Sequence, residues 1–234
     1  MKDIQNNINV TLQRIKCASI DSGVTPPALL VISKTRSASE LITAYDEGAR
    51  CFGENYLQEA LEKIAVLKDY PIEWHFTGPI QSNKTRAVAE NFSWVHTLDR
   101  TKIAQRLNDQ RLESMGRLKV CIQVNVDREP GKSGLMPETV MDFAAQVNTL
   151  PNLELRGLMA IPQVGVENPQ RQLAFRKLSS LLEKLQVKYP QMDTLSMGMS
   201  ADLELAIAEG ATIVRVGTAI FGSRDKKPRD EPLI

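Results

Sequence analysis

The chain has 234 residues, with 29 Lys and Arg against 28 Asp and Glu for a formal charge of +1, and is 42% hydrophobic and 24% charged. So even a balance offers no basic stripe to a nucleic acid or an anionic membrane, and the composition is that of a folded rather than a disordered chain. Cys17, Cys51 and Cys121 are widely spaced and form no CxxC, which supports neither a disulfide framework nor a zinc site. No apolar run nears the roughly 20 residues of a membrane span. The polar N-terminus is unlike a signal peptide, so a cytoplasmic location with no membrane partner is expected.

Ile4, Ile8, Leu12 and Ile15 recur at helical steps, forming one apolar stripe that the Asp21-Ser22-Gly23 turn and Pro26-Pro27 bring to an end. An apolar run over 28–33 follows, closed by Lys34. Ser37 with Glu40 three residues on is the capping-box start of the next helix, and Gly48 stands where that helix should stop. The alternation then repeats: a short strand at Cys51-Phe52-Gly53 and a helix over 56–70, a strand over 72–78 and a helix over 82–92, a strand over 94–98 and a helix through Ile103 and Leu107. Residues 118–126 are the most strand-like run, rich in β-branched side chains, and lead through a Gly/Pro loop to a helix over 140–147. A strand over 153–161 precedes a long helix over 170–188, residues 194–200 precede a helix within 201–210, and 213–222 opens as the last strand.

The count is eight strand-then-helix units, the eighth helix short or missing. Continuous apolar strands between helices imply a parallel sheet covered on both faces. Eight units predict an α/β fold, a single (β/α)8 TIM barrel with an extra N-terminal helix, occupying residues 1–222. No GxGxxG follows the first strand, which argues against an open dinucleotide-binding sheet. Residues 223–234 are charged and broken by proline, and are expected to be a disordered tail.

In a barrel of this kind, strand C-termini and βα loops build the active face. That filter selects Lys34, Glu54-Asn55, His75, Thr77-Gly78, His96, Asn125, Lys132, Met159, Met197 with Gly198, Met199 and Ser200, and Gly217-Thr218. Lys34 closes an apolar strand; its amine would point to the barrel mouth, where desolvation favours the neutral form that attacks an aldehyde. The plainer reading is a lysine that snorkels to water. The loops after strands seven and eight of such barrels often bind phosphate. Here they offer Ser200 ahead of a helix and Gly217-Thr218 after a strand: hydroxyl donors, close backbone approach and a helix start. Two routine turns with an N-cap serine are the alternative, which the pairing with Lys34 across the mouth outweighs.

Arg215 lies inside an apolar strand, where a guanidinium needs acceptors, either a ligand or a buried carboxylate such as Glu54. Two residues before Gly217, it faces the same side and suits a ligand with a ring nitrogen or second acidic group. Asn55 would orient a ligand hydroxyl or cap the next helix. His75 and His96, on apolar strands and off metal-ligand spacing, read as core histidines with satisfied hydrogen bonds. Lys84 and Lys132 read as solvated lysines that could lend the mouth charge. The Gly131-Lys132-Ser133 segment fails as a P-loop because Val126 occupies the first glycine position.

The stretches Val31-Ile32-Ser33-Lys34-Thr35, Phe52-Gly53-Glu54-Asn55-Tyr56, Trp74-His75-Phe76-Thr77-Gly78-Pro79, Arg156-Gly157-Leu158-Met159-Ala160, Ser196-Met197-Gly198-Met199-Ser200 and Arg215-Val216-Gly217-Thr218-Ala219-Ile220-Phe221-Gly222 together resemble the pyridoxal phosphate homeostasis protein family. The resemblance runs in order from about Lys34 to Gly222. It implies a barrel of the alanine racemase N-terminal-domain type (PLP fold type III) that binds pyridoxal 5'-phosphate (PLP). Lys34 would be the Schiff-base lysine, with Ser200, Gly217 and Thr218 at the phosphate, Arg215 facing the pyridine nitrogen and Asn55 near the ring.

PLP enzymes that stabilise a carbanion strongly use an acidic partner at the ring nitrogen. An arginine cannot accept that proton. Two-domain racemases of this barrel type draw a second base from another domain, and only twelve residues follow Gly222, so no such domain is expected. The resemblance thus implies a monomeric, non-catalytic PLP carrier or regulator affecting amino-acid metabolism, with PLP-dependent apo-enzymes as partners. The competing reading is an enzyme, either a single-domain racemase or a Schiff-base aldolase using Lys34.

Overall fold

The apolar runs find their hydrogen-bond partners in one another, in chain order. In the computed structural model, which describes residues 3–163 and 165–223, eight parallel strands close into a barrel. They are β1 (Ala28–Ile32), β2 (Cys51–Glu54), β3 (Glu73–Phe76), β4 (Trp94–Leu98), β5 (Leu118–Gln123), β6 (Leu153–Met159), β7 (Thr194–Met199) and β8 (Ile213–Val216). Ala28 lies opposite Ile213 and Leu30 opposite Arg215, so β8 returns to β1 and no edge is left open.

The crossovers carry α2 (Ala38–Asp46), α3 (Leu57–Val66), α4 (Thr85–Asn91), α5 (Thr101–Gln110), α6 (Val140–Asn148), α7 (Asn168–Gln186) and α8 (Leu203–Ala208). A four-residue α9 (Thr218–Phe221) follows β8, the short eighth helix that the unit count anticipates. The start of α2 is the expected capping box: Ser37 accepts from the Glu40 N–H while Glu40 accepts from the Ser37 N–H. The tail expected over 223–234 lies, from residue 224 onward, outside the described residues.

Side-chain alternation sorts each strand between two environments. Val95, Val120 and Leu158 join the large cluster that includes helix residues such as Leu41, Val88, Ala144 and Phe175. Their strand neighbours Trp94, Cys121 and Met159 form a separate small cluster with Ile161, inside the barrel. The interior is thus only partly apolar, and its remaining volume holds polar side chains.

The N-terminal helix α1 (Ile4–Ser22) packs against α2, α8 and α9, and ends as predicted at Gly23, whose φ of 66° suits glycine. Its buried face differs from the expected stripe. Leu12 is 43% exposed, and Thr11 is buried instead, with its hydroxyl donating to the Asn7 carbonyl. The face runs Ile4, Ile8, Thr11, Ile15, so the step after Ile8 is three residues and not four. Position on the helix, not hydrophobicity, decides which side chain is covered.

Gly157 shows how tightly the strands are fitted. A Cβ there would stand 1.8 Å from the Thr194 carbonyl oxygen and 2.6 Å from its carbon, in the neighbouring strand β7. Backbone cannot yield as a side chain does, so Gly157→Ala is expected to destabilise the fold by about 3 kcal/mol or more. Urea unfolding checks this, and an unchanged midpoint would contradict the close approach of β6 and β7.

Candidate functional site

Lys34 lies two residues beyond β1, and both of its neighbours are held. The Ser33 N–H donates to the Gly53 carbonyl at 2.9 Å, and the Ser33 hydroxyl donates to Glu54 Oε1 at 2.6 Å. Lys63, on α3, donates to the Ser33 carbonyl at 2.7 Å, to Glu54 Oε1 at 2.8 Å and to Glu59 Oε1 at 2.5 Å. On the other side, the Thr35 N–H donates to Glu59 Oε1. Thr35 adopts a φ of 63°, in the left-handed region that a β-branched residue avoids. The Glu59 carboxylate gives that conformation a fixed partner.

Burial pushes the Glu54 carboxyl above its ordinary value, while Lys63 and the Ser33 hydroxyl pull it back. Glu54, which sequence reasoning offered as a partner for Arg215, is instead fully buried against Lys63. Lys63 was missed because a lysine within a helix reads as a surface residue. Its spacing of four from Glu59 was the available signal.

Across the mouth, Gly217 sits where a Cβ would lie 3.0 Å from the Ile32 carbonyl oxygen, which brings the β8 loop against the end of β1. The Ser200 hydroxyl accepts from the Ala219 N–H at 3.2 Å, linking the β7 loop to the first turn of α9. Ser200 is not an N-cap: α8 is entered through Asp202, whose carboxylate accepts from the Met199 N–H at 2.6 Å. Nor is Asn55, since α3 is entered through Tyr56. Asn55 Oδ1 accepts from the Thr77 hydroxyl at 3.1 Å, so its amide nitrogen is the end that remains to donate.

Lys34, Asn55, Ser200, Arg215, Gly217 and Thr218, from four separate strand ends, line one cavity of about 420 Å3, walled by Ile32, Met159, Ile161 and Met199. That is the size of a small-ligand site. A cleft of about 610 Å3 along the outer side of α1, near Gln13, Cys17 and Glu204, shares none of these residues. Asn125 is bound within its own loop to Glu129, and Lys132 pairs with Glu129 at 3.2 Å; neither they nor Lys84 line the cavity.

Arg215 forms the floor. It is only 5% exposed, and it donates from Nη1 to the Ser196 carbonyl and, at 2.9 Å, to the Ser196 hydroxyl, and from Nη2 to the Ala160 carbonyl at 2.9 Å. Burial pushes its pKa down to about 10, which leaves it a cation at neutral pH.

The two histidines lie in the barrel interior rather than at the mouth. His75 Nδ1 is 2.9 Å from His96 Nε2, His75 Nε2 is 3.0 Å from Glu73 Oε1, and His96 Nδ1 is 2.8 Å from Ser196 Oγ. They are buried with satisfied nitrogens, as expected for core histidines. Burial pushes both below their ordinary value; Lys119 adds to this at His75, and Arg215 at His96, while Glu73 opposes it at His75.

In the unfolded chain such imidazoles titrate near 6.5, so below that pH the unfolded state binds more protons and stability falls as pH falls. Urea unfolding at pH 5.5 should show roughly 1 kcal/mol less stability per histidine than at pH 7.5. A flat profile would mean that the rings are not held neutral. Lys63→Met should destabilise by about 3 kcal/mol, because it strands the buried Glu54 carboxylate; a loss below about 1 kcal/mol in the same assay would dissolve the clamp on Lys34.

The family described as alanine racemase, N-terminal domain, matches residues 17–225. The pyridoxal phosphate homeostasis protein of Pseudomonas aeruginosa is 53% identical over 227 residues, covering 96% of this chain and 97% of that protein. Its counterpart in Escherichia coli (strain K12) is 47% identical over 230 residues, covering 96% and 98%. The structure of the Synechococcus elongatus PCC7942 protein PipY with PLP bound superposes with a TM-score of 0.80 at 38% identity, covering 90% of this chain and 99% of that one. An alanine racemase of Clostridium difficile 630 superposes with a TM-score of 0.75 at 15% identity, over 96% of this chain and 58% of that one, which is a likeness of fold alone.

Proposed function

Because the chain belongs to the pyridoxal phosphate homeostasis protein family, we propose that it binds PLP in the 420 Å3 cavity, as a Schiff base on Lys34, and acts as a carrier and regulator of the cofactor. The observation that carries this reading is the convergence on one cavity of a clamped lysine, a phosphate-sized group of donors and a buried arginine. Bound PLP supplies an aldehyde for a lysine amine and an electron-withdrawing ring.

The residues present fit that group. Ser200 and Thr218 offer hydroxyls, and Gly217 offers a backbone that a Cβ would drive into Ile32. Met159, Ile161 and Ile32 supply apolar walls for a flat ring, and Asn55 an amide donor beside it. Arg215 offers a donor, never a proton acceptor, to a ring nitrogen. It therefore does nothing to keep that nitrogen protonated, and the ring stays a weak electron sink.

Among the described residues that line the cavity, Lys34 and Arg215 are the only ionisable ones. Moving a proton to and from both faces of an amino acid needs a second acid–base group. A site with one amine and one permanent cation suits holding and releasing PLP, with PLP-dependent apo-enzymes as recipients, better than turnover.

The test is a visible absorption spectrum of the protein with PLP, before and after borohydride, followed by peptide mapping. A yellow band that borohydride traps on Lys34, lost in Lys34→Ala, is expected. A band that survives in Lys34→Ala would move the Schiff base to another lysine. Brisk exchange of an amino acid's α-proton with deuterated solvent would overturn the carrier reading in favour of an enzyme.

A further inference from the structure

We propose that Ser196, His96, His75 and Glu73 form a one-directional hydrogen-bond relay through the barrel interior, which positions Arg215 and couples the cavity to the Glu73–Lys119 ion pair at the opposite mouth. The proposal rests on the reading above, in which Arg215 meets the cofactor ring.

Direction follows from donor and acceptor inventories. Glu73 pairs with Lys119 at 3.2 Å, and the hydrogen bond from His75 is the largest influence holding its carboxyl down, at about 2. It is ionised and can only accept, so His75 Nε2 carries the proton that it donates to Glu73. A neutral imidazole has one N–H, which makes His75 Nδ1 an acceptor and His96 Nε2 its donor. His96 Nδ1 must then accept, and the Ser196 hydroxyl is what it accepts from. That leaves the Ser196 oxygen lone pairs to receive Arg215 Nη1. Each link fixes the next, and every proton points from Arg215 toward Glu73.

The ends of the relay lie at opposite faces. Glu73 is the first residue of β3, while Arg215 lies near the end of β8 and lines the cavity. Stacking holds the middle: the His75 ring lies nearly parallel to Trp94, centroids 5.4 Å apart, and Lys119 Nζ lies 5.1 Å from the centroid of the same indole. The bonds to Ser196 and Ala160 set the plane of the guanidinium from the barrel wall, before any ligand arrives.

Cys51, Glu73 and His75 also come within metal-binding reach of one another. Lys119 already neutralises Glu73 there, and burial pushes the Cys51 thiol up to about 11, so the trio reads as the end of the relay and not as a cation site.

The chain has two histidines, so long-range 1H–15N correlation of the imidazoles resolves both rings. In the PLP-free protein both should be Nε2–H tautomers. Adding PLP should move the nitrogens of His96 and also of His75. In Ser196→Ala the His75 response should vanish and PLP affinity should fall about tenfold, with Ser196→Thr restoring both. Glu73→Gln, at a half-exposed position, should let the Nδ1–H tautomer of His75 grow in. An Nδ1–H tautomer on either ring of the native protein overturns the relay. So do His75 nitrogens that stay still while the visible band reports PLP on Lys34. If no band forms, the proposed function fails, and the tautomers of the PLP-free protein alone decide the relay.

Discussion

A guanidinium held at 5% exposure inside a closed barrel constrains much of what surrounds it. Taking such a charge out of water is tolerable only where acceptors meet its hydrogens, and an orphaned donor would cost far more than a made bond returns. Among the described residues no carboxylate is hydrogen-bonded to Arg215; Asp202 acts on it only at a distance. Two carbonyls and a serine hydroxyl serve instead, and the Ser196 carbonyl is shared with the Ala160 N–H. A barrel filled with apolar layers has no place for this. The interior of this one therefore gives up part of its volume to Ser196, His96 and His75, and Trp94, Cys121 and Met159 fill the rest.

The elements were legible because their signals are local. A capping box, a glycine at a left-handed C-cap and a period that switches from helical to continuous apolar are all written within a few residues. The cavity-lining residues were legible for a related reason: a parallel barrel puts every strand's C-terminal end on one face, so topology alone collects Lys34, Asn55, Ser200, Arg215 and Gly217-Thr218. What the sequence could not display was choice of partner. Glu54 faces Lys63 and not Arg215, Ser200 reaches Ala219 and does not cap α8, and the histidines sit a layer below the mouth. Each of these depends on barrel closure, which a reading of neighbours along the chain does not contain.

The lysine and the arginine are held by opposite electrostatic solutions. On the Lys34 side, one buried ammonium, Lys63, is shared between Glu54 and Glu59, and those carboxylates also take the Ser33 hydroxyl and the Thr35 N–H. Ion pairs of this kind are poor sources of stability against an apolar alternative, since desolvation consumes the Coulombic gain. Their use here is geometric: they fix the two peptides that flank Lys34, including the left-handed Thr35 that would otherwise relax.

These two arrangements together bear on chemistry as well as shape. Among the described residues, Glu54 and Glu59 pair with Lys63, and Asp202 with the Met199 N–H and Arg171. The imidazoles are locked in a chain that ends in an ion pair at the far mouth. Among the described residues, the ionisable side chains that line the cavity are Lys34 and Arg215. A fold shared with alanine racemase does not by itself confer racemisation. What the barrel delivers is a cavity lined by one lysine and one arginine, each held from behind by groups of the barrel wall.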